Sequence, residues 1–462
     1  MYNEYIKDKH FYIIGLARSG LSSAAFLQAN GATVTVWDDT KSKLQGINES
    51  YSICSPETVD WSTITAVLLS PGVRYSYPEP HIAVRVAQSK GIPVINDVIL
   101  FCDLHKNDLL IGITGTNGKS TTTALTAHIL SGLGFPATAI GNIGVPVFGS
   151  YPEEGLIRLI EVSSFQLELM KKSPFSIAVL LNLSAHHLDR HGNMENYINA
   201  KMNIFNHGEQ LRVIGGEDHY TRNVGRHLAV TLQSKANIIT TSSNETTKEG
   251  IWIDDRRIYI KMPDLTHEFG NTDRYQALRG SHNHQNIASS LGIICHVFAK
   301  LGKGCPDWDK IDDLLQTFEA LPHRQQLVLT QGNVTIINDS KATNVASAKR
   351  SLSAFSNILW LVGGRFTDDD IDFEKKHLKN LVHGYAYGEA SRPLEKAISP
   401  MKPCTSHTSL AEALAHAKAY ADMHKEQHFT LLLAPACVSF DQFSDFEERG
   451  NVFMKLAKEI FG

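Results

Sequence analysis

The segment GITGTNGKST (112–121) carries the strongest chemical signal in the chain. It stands between the apolar run LLIGIT (109–114) and a helical pattern over 119–133, where a phosphate loop belongs. In such a loop, backbone N–H groups of the glycine turn and of the helix N-terminus point at phosphate oxygens. Lys119 would neutralise the β/γ charge, and Ser120 would offer its hydroxyl to Mg²⁺. The strict pattern misses by one position, because Ile113 stands where its first glycine belongs. Two weaker turns follow strands as well. GLARSG (15–20) has the spacing of a dinucleotide fingerprint, but Ala17 replaces the middle glycine that lets backbone approach a pyrophosphate. With Asp38 after the second strand, three readings stay open there: NAD, another nucleotide, or a turn without a ligand. LVGGRFTDDD (361–370) reads equally as a tight turn or as part of a site.

Phosphate chemistry with Mg²⁺ needs oxygen ligands beside the phosphates. Glu161 ends the apolar strand LIRLIEV (156–162), at the edge of a parallel sheet where a Walker-B-like acid sits. LNLSAHHLDRH (181–191) places His186, His187, Asp189 and His191 within six residues. No third-ligand spacing supports zinc, so one histidine near a hard cation, oriented by Asp189, is the better reading. Lys201, on a predicted helix over 195–207, reads by itself as a solvated lysine.

These residues need strands and helices to hold them. Strand–turn–helix units recur along the chain: FYIIG (11–15), TVTVW (33–37), AVLLS (66–70) and PVI (93–95), then LLIGIT, LIRLIEV and SIAVLLNL (176–183). QQLVLT, VTIIN, NILWLV, GYAYG and FTLLLA follow, with helices over 408–423 and 450–461. The alternation predicts α/β domains with mostly parallel sheets. The stretch 236–262 reads as short β segments forming a small appended sheet, followed by a long helix over 284–300. Three domains are expected, with boundaries near 106 and 322: 1–106, 107–321 and 322–462. Against 48 acidic residues stand 44 basic ones, without a basic stripe, which gives no support to a nucleic-acid or anionic-membrane partner. Cys54, Cys102, Cys295, Cys305, Cys404 and Cys437 are scattered without a C-x-x-C pair, which argues against a disulfide framework or zinc knuckle. No apolar run is long enough to span a bilayer, and the charged start lacks the core of a signal peptide, so a cytoplasmic protein is expected.

The order of TGTNGKST, GNIG (141–144), EVSSFQLE (161–168), NLSAHHLD (182–189), GSHNHQN (280–286), LPHR (321–324), NDSKATN (338–344) and APACVSFDQFSDFEERG (434–450) resembles the Mur ligase family over the whole chain. The chain is most similar to the branch that adds D-glutamate to UDP-N-acetylmuramoyl-L-alanine. The resemblance implies an N-terminal Rossmann-like domain for the UDP group, a central ATPase domain and a C-terminal Rossmann-like domain that closes over the site. That favours UDP over NAD at the first turn. It implies ATP-driven amide formation through an acyl phosphate, in cytoplasmic peptidoglycan precursor synthesis, by a protein expected as a monomer. Gly115, Thr116, Asn117, Gly118, Lys119, Ser120 and Thr121 would hold ATP, with Asn286, Arg324 and Asp339, and Asn283 beside Asn286. Ser120, Glu161, His187 and Lys201 would bind two Mg²⁺, with Lys201 carbamylated by CO₂ to become an anionic ligand. Lys119, Lys201, His187 and Arg324 would carry catalysis. Ser19, Asp38, Ser70 and Asn142 would contact the UDP substrate, and Lys341, Thr343, Ser439 and Phe446 would line the D-glutamate site.

The chain departs from the family pattern at four places. His186 replaces an acid in the motif before Asp189, and Thr367 stands where a lysine commonly meets the D-glutamate side chain, with Lys341 as a partial substitute. The arginine expected beside UDP near Asp38 is missing, with Lys41 as its substitute, and Phe440 replaces a commoner leucine. The competing readings are a sister amino-acid ligase of the same family, folylpolyglutamate synthase, an NTPase without ligation, and an NAD oxidoreductase.

Overall fold

A computed structural model describes residues 3–141, 145–149, 156–231, 237–243, 249–263, 265–319, 321–366 and 371–462. Two residues singled out above, Asn142 and Thr367, lie outside the described residues. The described chain is mixed α/β and builds three sheets. It divides into two compact units, Met1–Thr272 with Asn283–Leu315, and Asp273–His282 with Gln316–Gly462.

The first unit holds two sheets. β1 (His10–Ile14), β2 (Thr33–Trp37), β3 (Ser52–Ile53), β4 (Ala66–Leu69) and β5 (Val94–Ile95) pair in parallel in the order β3-β2-β1-β4-β5. The order reverses between β1 and β4, so a crevice for ligand opens at their C-terminal ends. β4 is buried at every position, as expected of a strand covered on both faces.

The second sheet contains β6 (Leu109–Thr114), β7 (Ala137–Gly141), β8 (Ile157–Glu161), β9 (Ile177–Leu180), β10 (Leu211–Gly215), β11 (Ile238–Ser242), β12 (Gly250–Asp254), β13 (Arg257–Met262) and β14 (Leu265–Phe269). Their order is β14-β13-β12-β11-β10-β9-β6-β8-β7. The small β segments expected over 236–262 are appended edge-on: β11 and β12 continue the parallel array, and β13 reverses direction, so that its pairs with β12 and β14 are antiparallel. The register Ile113 to Glu161 on adjacent β6 and β8 sets the acid beside the mouth of the phosphate loop.

One apolar cluster joins the two sheets, running from Ile13, Leu68 and Phe101 through Phe148 to Ile160 and Phe175. Phe26 of the helix Arg18–Ala29 stacks on Phe148 at 4.3 Å. Polar ties reinforce it: Asn96 Nδ2 donates to the Gln166 carbonyl at 2.8 Å, and Gln166 Nε2 to Asp97 Oδ1 at 2.9 Å.

The second unit holds β15 (Gln326–Gln331), β16 (Val334–Asn338), β17 (Ile358–Gly363), β18 (Leu381–Tyr387), β19 (Cys404–His407) and β20 (Phe429–Ala436), in the order β15-β16-β20-β17-β18-β19. Only β15 is antiparallel. Along β17, Ile358, Trp360 and Val362 enter one core while Leu359 and Leu361 enter the other. That period of two explains an unbroken apolar run: both faces are covered. Among the described residues, no helix is long and apolar enough to cross a membrane.

The helix Ser281–Lys300 carries His296, buried, with Nε2 3.0 Å from the Arg212 carbonyl oxygen. Burial pulls its pKa down to about 4, only partly offset by that hydrogen bond. The unfolded chain, with a pKa near 6.5, takes up a proton that the folded state refuses. Stability from this group is therefore full above about pH 6.5 and is lost as pH falls toward 4. His296→Gln, which keeps a donor for Arg212, is expected to flatten the acid-side fall of the urea midpoint. An unchanged slope would contradict this reading of the buried ring.

Candidate active site

The phosphate loop is shaped by two glycines at positive φ, Gly115 at 157° and Gly118 at 83°. A Cβ on Gly118 would lie 2.2 Å from Asn286 Oδ1, and one on Gly115 would lie 2.9 Å from Leu181 Cβ. Both turns therefore require glycine on steric grounds. The helix Lys119–Gly132 begins at once, with Gly118 as its cap. Asn182 clamps the turn: its Oδ1 accepts from Asn117 N at 2.8 Å, and its Nδ2 donates to the Asn117 carbonyl at 3.1 Å. Lys119 Nζ folds back onto the carbonyls of Gly115 and Thr116, at 3.0 and 3.1 Å. Ser120 is buried in the first turn, and Thr121 follows it. Asn286, expected to face the nucleotide, is engaged with protein behind the loop. Its Oδ1 accepts from Thr122 Oγ1 at 3.2 Å, and its Nδ2 donates to Asn283 Oδ1 at 2.8 Å.

Beside the loop lies a charged floor. Lys201, on the helix Met194–Met202, is only 2% exposed. Its Nζ donates to Thr114 Oγ1 at 3.1 Å and to the Gly115 carbonyl at 3.0 Å. It also stands 5.0 Å from the Tyr197 ring, at cation–π range. Burial, reinforced by Lys119, holds its pKa well below the usual lysine range, with Glu161 pulling the other way. The solvated lysine that the sequence alone suggested is thus a core group. Glu161 is buried at the end of β8, and its Oε2 has no hydrogen-bond partner among the described residues. A buried carboxylate oxygen without a donor, near enough to Lys201 to act on its charge, suits a hard cation.

His187 sits at φ 56°, just before the short helix Leu188–His191. Its outer edge is exposed, yet enclosure by protein, then His186, Lys119, Lys201 and His191, push its pKa down to about 3. The ring is therefore neutral near pH 7 and has a lone pair to give a cation. His191, which the sequence did not separate from its neighbours, is buried, with Nε2 3.0 Å from Ser164 Oγ. Tyr197 was not anticipated either: its hydroxyl is 2.9 Å from Thr116 Oγ1, and burial raises its pKa to about 12.

On the first sheet, Ser70 Oγ donates to the Gly15 carbonyl at 2.6 Å, while Ser19 lies half-buried in the next helix. A Cβ on Gly20 would lie 2.0 Å from the Gly15 carbonyl oxygen, so the outer glycines of GLARSG serve close packing. Asp38 accepts from the N–H groups of Leu16 and Thr40, at 2.8 and 2.9 Å. Burial pushes its pKa up, but those N–H donors and Lys43 outweigh it and hold the carboxyl below the usual range. Lys43, at 3.3 Å, is its cation; the expected substitute, Lys41, is exposed on the turn before it. Arg190 ties this sheet to the central one, donating to the carbonyls of Gly72 and Val73, each at 3.1 Å, with its guanidinium 4.4 Å from the Phe165 ring.

In the second unit, the C-terminal ends of the adjacent strands β16, β20 and β17 come together. Lys341 Nζ stands 4.9 Å from the Phe446 ring, Thr343 N donates to the Lys341 carbonyl at 2.8 Å, and Ser439 is buried after β20. Ala436 holds φ 59°, a conformation that costs an L-residue roughly 1–2 kcal/mol. It is held there by its N–H bond to the Ala342 carbonyl at 2.9 Å. Arg449 is fully buried and gathers these loops, donating to the Ser340 and Cys437 carbonyls at 2.8 and 3.0 Å. The sequence reading overlooked it, although it stands in the segment DFEERG that opens the helix Phe446–Phe461. Asp339 accepts from Ser351 Oγ and from Gln325 N. Burial raises its pKa, against the pull of Ser351, Arg324 and Arg350.

Two family descriptions match the chain: the Mur ligase middle domain over residues 113–294, and the Mur ligase MurD-like N-terminal domain over 9–96. UDP-N-acetylmuramoylalanine–D-glutamate ligase of Caulobacter vibrioides is 36% identical, across 97% of this chain and 95% of its own. The enzymes of that name from Phenylobacterium zucineum and Rhizobium etli are each 34% identical, across 96% of their own lengths. Among solved structures, MurF from Acinetobacter baumannii aligns at TM-score 0.58 and 16% identity, covering 99% of this chain and 92% of that one. A pseudomurein peptide ligase type C from Methanothermus fervidus aligns at 0.56 and 17%, covering 98% and 100%. At these identities the structures share the fold.

Gly118→Ala places a methyl group against Asn286 in a left-handed turn, and is expected to weaken ATP binding by at least about tenfold in calorimetry. Gly134→Ala has a similar positive φ but meets open space, and should leave ATP affinity unchanged. Equal behaviour of the two variants would contradict a shape requirement specific to the loop.

Proposed function

Because this chain belongs to the Mur ligase family, we propose that it is the ATP-dependent ligase that joins D-glutamate to UDP-N-acetylmuramoyl-L-alanine in peptidoglycan synthesis. The observation that carries the site chemistry is the buried Lys201 and the unpartnered Glu161 oxygen at the mouth of the phosphate loop.

A carboxylate is a poor acyl donor, because its leaving group would be oxide. The substrate carboxylate attacks the γ-phosphorus of ATP, ADP leaves, and an acyl phosphate forms. The D-glutamate amine then attacks the acyl carbon, a tetrahedral oxyanion forms, phosphate departs and the amine gives up a proton. Positioning and charge stabilisation supply the catalysis. The loop N–H groups and Lys119 hold the phosphates. Ser120, Glu161, His187 and Lys201 would hold Mg²⁺, which when bound neutralises phosphate charge. Neutrality of His187 near pH 7 supports its place in that set.

Lys201 is suited to carbamylation. Its depressed pKa leaves part of the amine unprotonated, so nitrogen can attack CO₂, lose a proton and become a carbamate. That exchanges a buried cation for an anionic oxygen ligand beside Lys119. Ser19, Asp38 and Ser70, with Asn142, are assigned to the UDP substrate. Arg324 and Asp339 are assigned to the nucleotide, and Lys341, Thr343, Ser439 and Phe446 to D-glutamate. Domains 1–106, 107–321 and 322–462 divide the work accordingly. Since both ATP and the UDP-linked substrate are cytoplasmic metabolites, the enzyme is placed in the cytoplasm.

A sister amino-acid specificity is the second reading, because Thr367 takes a position where lysine would recognise a second carboxylate. Phosphate release from ATP with UDP-N-acetylmuramoyl-L-alanine, across a panel of L- and D-amino acids, separates the two. Strict dependence on D-glutamate is expected; release with another amino acid alone would move the specificity. Lys201→Ala should lose roughly 100-fold or more in ligation, with partial rescue by short carboxylates. Wild-type turnover in that variant would contradict the carbamate role.

A further inference from the structure

Far along the chain from the phosphate loop, the second unit carries a compact group of donors that the ligase chemistry does not use. His407 ends β19, and Glu412 and His416 lie one turn apart on the helix Leu410–Met423 that follows. One donor atom from each lies within 4.8 Å of the others. We propose that His407, Glu412 and His416 form a binding site for a divalent transition metal of the zinc class.

Each of the three side chains has one polar atom engaged by a neighbour and a second that can turn to an ion. His416 Nδ1 is 2.9 Å from the Glu412 carbonyl oxygen. A carbonyl can only accept, so Nδ1 carries the proton and Nε2 keeps its lone pair. His407 Nε2 is 2.9 Å from Thr405 Oγ1, which is also 3.3 Å from His383 Nε2. Metal binding requires the tautomer in which Thr405 gives its hydroxyl proton to His383 and accepts from His407 Nε2–H, so that Nδ1 exchanges its interaction with Glu412 for the ion. Such outer partners, which set tautomer and ring orientation, are what metal-binding histidines use. Glu412 Oε2 is occupied by the N–H and hydroxyl of Thr408, at 2.8 and 2.6 Å. Oε1 faces His407 Nδ1 at 3.9 Å.

An ion at roughly 2.0–2.2 Å from each donor holds tetrahedral ligands about 3.4 Å apart. The donors here lie within 4.8 Å of one another, and turning the exposed Glu412 and His416 side chains would bring them in, while His407 is buried and stays. Two imidazoles and one carboxylate suit Zn²⁺, Ni²⁺ or Cu²⁺ rather than the Mg²⁺ of phosphate chemistry. β19 is the outer strand of its sheet, so the ion would pin that edge to its covering helix.

Co²⁺ titration of the full chain tests this, because tetrahedral Co²⁺ absorbs strongly in the visible. One equivalent is expected to give such bands, to be displaced by Zn²⁺ and to be untouched by excess Mg²⁺. His416→Ala and Glu412→Gln, both at exposed positions, should weaken Co²⁺ binding at least about tenfold. His187→Ala should keep the signal, which separates this site from the phosphate loop. Absence of the bands, their persistence in His416→Ala, or their loss in His187→Ala alone would each overturn the proposal.

Discussion

The site depends on one buried amine. Lys201 Nζ is held by Thr114 Oγ1 and the Gly115 carbonyl, at the point where β6 ends and the phosphate loop begins. An ammonium group with almost no water around it must either shed its proton or gain compensating charge. Here the nearest charges are Lys119, which makes matters worse, and Glu161, which helps. The fold therefore holds a buried lysine of lowered pKa beside the phosphate loop. Carbamylation answers the constraint directly: it removes the cation and supplies an anion where our reading needs a cation ligand.

The remaining structure can be understood as what keeps that amine and its neighbours in place. The β6–β8 register sets Glu161 level with Ile113, and the helix Met194–Met202 brings Lys201 in from the other side. Tyr197, one turn earlier on that helix, reaches Thr116 and so ties the helix to the loop. Asn182 and Gln285 fix the loop's turn from beneath, at 2.7 Å from each other. In the second unit the same physics recurs. Strand ends of a parallel sheet converge, a strained residue, Ala436, marks the convergence, and Arg449 satisfies carbonyls that the loops leave unpaired with one another.

Much of this was legible in the sequence, for identifiable reasons. The phosphate loop, Glu161 and most strands announced themselves because apolar runs, glycines and a terminal acid are local patterns. Strand β10 escaped because Arg212, fully buried, interrupts its apolar run. Strands β3 and β19 are short edge strands of ordinary polar composition. Lys43 replaced Lys41 as the partner of Asp38 because the turn Lys41–Leu44 brings the later lysine's Nζ to 3.3 Å from Asp38 Oδ2. Lys201 was legible only through family resemblance, since burial of a helical lysine is a tertiary property. Arg190, Tyr197 and Arg449 act through contacts with residues distant in sequence, and no spacing rule reaches them.

We propose that Lys201 is an amine reactive toward CO₂ under working conditions. Carbon-13 NMR of the protein equilibrated with ¹³C-bicarbonate tests it without turnover. One protein-bound carbamate resonance is expected, which vanishes in Lys201→Ala and strengthens when Mg²⁺ and an ATP analogue are added. No carbamate resonance in the wild-type protein, or an identical one in Lys201→Ala, would contradict it.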